Sequence, residues 1–125
     1  HQSPAYPGTG AASETGVGNI VNVPISPYSG SIEFRMAYSD IILPALATFE
    51  PELILISAGF DAHRSDPLCQ LNVNTEDFGW LTKELVGVAE KYCNGKIVST
   101  LEGGYDLKAL SDCASIHVKS LMMAG

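Results

Sequence analysis

The spacing of apolar positions changes along the chain, and each change marks an element. Leu53-Ile54-Leu55-Ile56 and Ile97-Val98 open two short runs, Leu53 to Asp61 and Lys96 to Tyr105, whose apolar starts predict buried strands of a parallel sheet. Asn19 to Ile25 predicts a third short strand, ended by Pro24 and Pro27, with Asn22 interrupting its apolar residues. Helical spacing fills the intervals. Phe34, Tyr38, Ile41, Ala45 and Phe49 recur at steps of 4, 3, 4 and 4 after Ser29-Gly30-Ser31, and Pro44 inside that stripe is expected to kink the helix. Pro51 closes the segment.

The second helix carries the clearest signals. Asn74 is placed to cap it, Glu76 and Asp77 sit near the positive end of its dipole, and Phe78, Leu81, Leu85, Val88 and Tyr92 form its apolar stripe up to the stop at Asn94-Gly95. Leu107, Leu110, Ala114, Val118 and Leu121 predict a third helix after the Gly103-Gly104 turn. The order β-α-β-α-β-α predicts an α/β fold with a parallel sheet and right-handed crossovers. The helix stripes are expected to cover the sheet and to carry no chemistry.

Composition narrows the function classes. A chain of 125 residues with 46% apolar content has room for one domain with one modest core. Fourteen acidic residues against seven scattered basic ones give a formal charge of −7, which argues against direct binding of nucleic acid. Cys69, Cys93 and Cys113 make no CxxC pair and are odd in number, so a reducing, cytoplasmic setting is expected rather than a disulfide framework or a cysteine zinc site. No apolar run reaches the roughly 20 residues that span a bilayer, and no secretory leader opens the chain, so no membrane partner is expected. Gly8-Thr9-Gly10 lacks the third glycine of a dinucleotide fingerprint and precedes no helix start.

The chemistry is expected where strands end. In open parallel sheets ligands collect at the carboxyl edge, and Asp61 and Tyr105 each follow an apolar strand at that edge. Asp61 is either a metal ligand or a turn former. Tyr105 follows two glycines that allow close approach by a ligand, so its ring either faces the crevice or packs over the start of the third helix. His63 is two residues from Asp61 in a polar loop with a turn at Asp66-Pro67, and is expected to be solvated or to sit behind the site.

Three strings carry a resemblance: Leu53 to Leu68 with its Gly59-Phe60-Asp61 core, Leu101-Glu102-Gly103-Gly104-Tyr105-Asp106, and the opening His1 to Gly10. Together they resemble the zinc-dependent histone deacetylase family, in the class II-like branch that also holds bacterial acetylpolyamine amidohydrolases and acetoin-utilisation proteins. The resemblance covers essentially the whole chain and implies that residues 1–125 are a C-terminal fragment of one deacetylase domain. The implied architecture is the C-terminal part of an arginase/deacetylase-like parallel sheet flanked by helices in three α/β/α layers. It implies Asp61 as a zinc ligand, Tyr105 as the catalytic phenol, and Tyr6, Leu68, Gly103 and Gly104 as the lining of the substrate channel. Zinc is the implied cofactor of the full-length protein, and a structural monovalent cation is a further cofactor consistent with the family. The implied substrate is an acetylated lysine or an acetylated small amine such as a polyamine.

The family's other zinc ligands and its paired histidines belong upstream of His1. His1, His63 and His117 do not replace them: the resemblance matches His1 to the histidine after the family's fifth strand, and packing is the expected role of His117. The isolated chain is therefore expected not to hydrolyse acetyl-lysine, the alternative being a non-catalytic structural or binding element. In the family's sheet the strands matching Leu53 and Lys96 are neighbours, whereas the one matching Asn19 to Ile25 lies apart from them. An open strand edge then invites pairing with the N-terminal portion of the domain or with a second copy of the chain.

Overall fold

The structure, a computed structural model, describes residues 1–123. Its elements run α1 (Ser31–Ala37), a π-helical turn (Tyr38–Ile42), α2 (Leu43–Phe49), β1 (Ile54–Ala58), α3 (Thr75–Cys93), β2 (Ile97–Leu101) and α4 (Leu107–Met122). The two strands pair in parallel, Ile54 with Ile97 through Ala58 with Leu101. This is the expected α/β arrangement, with α3 as the crossover between neighbouring strands.

One face of this sheet carries the core. Ile54 packs with Ala89 and Cys93 of α3, while Ala58 joins Phe34, Phe60, Leu71, Val73, Phe78 and Cys113 in a second cluster. Phe60 meets Phe78 edge-on with ring centroids 5.3 Å apart. On the opposite face Leu55, Ser57, Val98 and Thr100 are exposed. The described residues thus supply the sheet and the helices of one side.

Local chemistry explains the helix ends. Glu33 reaches back to accept from the Gly30 amide at 2.9 Å, and Asp77 accepts likewise from the Asn74 amide at 2.9 Å. Asn74 is the N-cap of α3 as expected, but its side chain donates to Ser31 instead of capping its own helix. Asp77 also binds Arg35 Nε at 2.7 Å and the Ser31 hydroxyl, tying α3 to α1. Burial would raise the Asp77 carboxyl, but the bonds from Ser31, the Asn74 amide and Arg35 outweigh it and hold the group below its usual range. Asn94 and Gly95 both take positive φ and end α3, with the Gly95 amide on Ala89 oxygen at 3.0 Å.

Two expectations are corrected. Asn19 to Ile25 is not a strand: only Ile25 forms a single parallel bridge, to Gln2, and Ile20 and Val21 are exposed. Pro24 has no amide to offer a ladder, and no neighbouring strand lies beside the segment. Ahead of Pro44, where a kink is expected, the helix leaves regular α geometry for one π-helical turn and then resumes as α2. The π-helical turn closes with the Leu43 amide on Tyr38 oxygen, and Ile42 and Leu46 are half-buried where Ile41 and Phe49 of the expected stripe are exposed. In α4, Leu107 and Val118 face solvent, and the buried residues are Ala109, Cys113, His117 and Ser120.

That inward face of α4 fits closely on α3 because it is small and polar. Thr82 donates to Phe78 oxygen at 2.7 Å, so its hydroxyl oxygen receives the His117 Nδ1 proton at 2.7 Å, and Nε2 accepts from Ser99 at 2.8 Å. His117 is a packed residue, as expected, held neutral between three elements. Burial pushes its pKa down. Cys69, Cys93 and Cys113 are free thiols. No helix among the described residues is long and apolar enough to cross a membrane.

Candidate functional site

The parallel pairing continues past the strands and carries two loops to one edge. The Glu102 amide binds Ala58 oxygen at 2.9 Å, and the Phe60 amide binds Gly103 oxygen at 2.8 Å. Asp61 and Tyr105 follow at once. Both line an open cavity of about 760 Å³, together with Tyr6, Leu68, Gln2 and Cys69. Four of the six site residues expected from sequence therefore share one hollow.

The remaining two, Gly103 and Gly104, back this hollow rather than line it. A Cβ at Gly103 would stand 3.1 Å from Asp61 Cγ and Oδ2, and one at Gly59 would stand 3.2 Å from Oδ1. The carboxylate is thus cradled between two residues that lack side chains. Gly104 adopts φ 137°, which turns the chain toward Tyr105, and a side chain there would meet Leu110 and Phe60.

Asp61 makes no hydrogen bond or ion pair with any described residue, and it is half-buried. A carboxylate in that state has its lone pairs available for a cation or a donor from elsewhere. Tyr105 is half exposed, and Leu68 and Tyr6 stand at the rim, 72% and 99% exposed. Tyr105 immediately precedes Asp106, the N-cap of α4, whose Oδ1 accepts the Ala109 amide at 2.8 Å.

The loop bearing Tyr6 is docked from the other side. The Ser3 amide binds Ile25 oxygen at 2.8 Å, and Gln2 Oε1 accepts from the Gln70 amide at 2.8 Å and from Cys69 Sγ at 3.3 Å. Nothing in the sequence marks Gln2 or Cys69, since their contact joins segments 67 residues apart. Asp66 was legible only as a turn former, yet it accepts amides from both site loops.

His63 lies behind the site, one of the two placements expected for it. It is buried, its Nδ1 accepts from the Ser65 amide at 3.1 Å, and Nε2 lies 3.1 Å from Thr75 Oγ1. Its polar neighbours are exposed while the ring itself turns inward, so it holds the loop and takes no part in the cavity. Among the described residues no group of three His, Cys, Asp or Glu gathers that could hold a metal. A catalytic zinc takes three protein ligands, so Asp61 fits as one member of a ligand set and does not suffice alone.

A family model described as the histone deacetylase domain matches residues 1–121. Histone deacetylase 14, chloroplastic, of Arabidopsis thaliana is 39% identical over 126 residues, covering 98% of this chain and 30% of that protein. A probable deacetylase of Archaeoglobus fulgidus is also 39% identical over 126 residues, covering 98% of this chain and 35% of the relative. The solved HDA15 HD domain superposes with a TM-score of 0.87 at 38% identity, over 97% of this chain and 35% of that one. The chain spans about a third of the length of these proteins.

Proposed function

Because the chain belongs to the histone deacetylase family, we propose that it forms part of a zinc-dependent amidohydrolase that removes acetyl groups from acetylated lysine or from acetylated small amines such as polyamines. The observation that carries this is the meeting of an unpaired carboxylate and a phenol in one cavity at the carboxyl ends of adjacent parallel strands. Asp61 serves as a zinc ligand, with the other ligands coming from outside these residues. Bound there, zinc supplies Lewis acidity and a water of lowered pKa.

The chain's own residues do the rest of what can be assigned to them. Tyr105 donates one hydrogen bond to the amide oxygen as negative charge develops, a contact worth about 3 kcal/mol in the transition state. Tyr6 and Leu68 flank the acyl-bearing chain at the rim, and Gly59 with Gly103 keeps the Asp61 carboxylate in one orientation. A histidine general base is also required. His63 and His117 are both engaged in internal hydrogen bonds away from the cavity and do not supply it.

The experiment uses the protein in its metal-bound, full-length form. Tyr105→Phe is expected to lower turnover of an acetyl-lysine substrate by about 10²- to 10³-fold while zinc content stays level. Asp61→Ala is expected to lower the zinc-to-protein ratio by atomic absorption. Wild-type turnover in the first variant or unchanged zinc in the second would refute the assignment. The absence of a three-residue metal cluster among the described residues favours a second reading for the 125 residues alone, a non-catalytic structural or binding element. Zinc-dependent hydrolysis by the isolated chain would exclude it.

A further inference from the structure

The geometry points to Asp66 as the residue that positions Tyr105, by fixing the phenol's backbone to the same carboxylate that fixes the opposite rim of the cavity; this rests on the role proposed for Tyr105. Asp66 Oδ2 accepts the Tyr105 amide at 3.0 Å. Oδ1 accepts the amides of Leu68 at 2.9 Å and Cys69 at 3.0 Å. One side chain therefore references three cavity-lining residues, on two loops, to a single rigid group.

Such a tether is needed where it stands. Gly103 and Gly104 precede Tyr105, and glycines leave a backbone freer than any other residue does. β2 has already ended at Leu101, and α4 does not begin until Leu107. Between them the Tyr105 amide has Asp66 as its hydrogen-bond acceptor, across 39 residues of sequence. Asp66 is itself fixed, because its own amide binds His63 oxygen at 2.9 Å and His63 is locked between Ser65 and Thr75. The buried histidine beside the site thus acts through the loop that presents Asp66.

Asp66→Asn tests this with little change in shape. An asparagine has one oxygen, so it can keep either the Leu68 and Cys69 amides or the Tyr105 amide, and its NH₂ opposes the N–H on the other side. In the metal-bound full-length protein, kcat on an acetyl-lysine substrate is expected to fall about 10- to 100-fold with KM nearly unchanged. Because the loss runs through Tyr105, D66N should cost less than about threefold when added to Tyr105→Phe, whereas independent effects would multiply. Multiplying losses would overturn the inference.

Backbone exchange separates this outcome from a failure of the catalytic assignment. In D66N the Tyr105 amide or the Leu68 and Cys69 amides should exchange with deuterium at least tenfold faster than in the wild type, read residue by residue. Unchanged protection at all three amides would overturn the tether itself, while faster exchange with Tyr105→Phe fully active would show a tether that serves no catalytic phenol. If D66N does not fold, Asp66→Ser is the second variant: its hydroxyl retains the turn contact to Leu68 but is too short for Tyr105. It should show the same loss of kcat and the same non-additivity, and wild-type kcat in it would overturn the proposal.

Discussion

Two glycines in one helix should respond in opposite directions to the same methyl group. Gly79 and Gly87 both lie in α3, where replacing glycine by alanine gains about 0.5–1 kcal/mol of helix propensity. At Gly87 nothing lies within 4 Å of the new Cβ, so G87A should stabilise the protein by about that amount. At Gly79 the Cβ would stand 2.6 Å from Ile116 Cδ1 and 2.8 Å from Cγ1. Both are roughly 1 Å inside a normal carbon contact. Ile116 is β-branched and lies in α4, where a helical isoleucine has one strongly preferred χ1, so relief requires the helices to separate. Overpacking of this kind costs about 1–3 kcal/mol, and after the propensity gain G79A should destabilise by up to about 2.5 kcal/mol. Urea unfolding with a constant m-value reads both changes. Ile116→Ala, which removes the clashing atoms, should make the G79A effect favourable in a double-mutant cycle. If G79A stabilises as G87A does in the Ile116 background, α3 and α4 are not in the close contact described.

The pH dependence of stability should carry the mark of His117. Its folded pKa lies below the ordinary 6.5, so the unfolded chain takes up a proton first. The stability it contributes is complete above about pH 6.5 and is lost as pH falls through the lowered folded value, at no more than about 1.4 kcal/mol per pH unit. His117→Gln should flatten that part of the profile, and urea midpoints at pH 7.5 and 5.0 that shift equally in both proteins would contradict it. Gly103→Ala should push the Asp61 carboxylate by a few tenths of an ångström and weaken zinc binding of the full-length protein about 10-fold. Zinc competition titration measures this, and unchanged affinity would show that the cradle does not orient the ligand.

The parts of the fold that sequence spacing revealed are those whose apolar residues are also the ones buried. Ile54, Ala58 and Phe78 meet that condition in β1 and α3, whereas β2 has no buried residue and was legible from its apolar run alone, and the two runs together placed Asp61 and Tyr105 at a shared edge. The inward face of α4 was not, because it is built from Ala109, Cys113, His117 and Ser120 around hydrogen bonds that no hydropathy pattern registers. Asn19 to Ile25 misled in the reverse sense, having strand-like residues without a strand to pair with. His63 was left between solvent and a place behind the site because its neighbours are polar, and a bridge from His63 to Val73 draws it behind the site and into the core. The roles of Gln2 and Asp66 depend on contacts between distant segments and have no local signature.

The widened turn at Tyr38–Ile42 bears on how this chain tolerates changes in length. A π-helical turn amounts to one residue inserted into an α-helix without rotating the helix on either side. A variant lacking one residue there should heal into continuous α-helix with both flanks keeping their inward faces. Pro44 would then fall in a helix interior, where its ring opposes the carbonyl one turn back at a cost of about 3 kcal/mol. Shortening this segment and replacing Pro44 are therefore coupled, and the shortening is easier to accommodate once Pro44 is replaced.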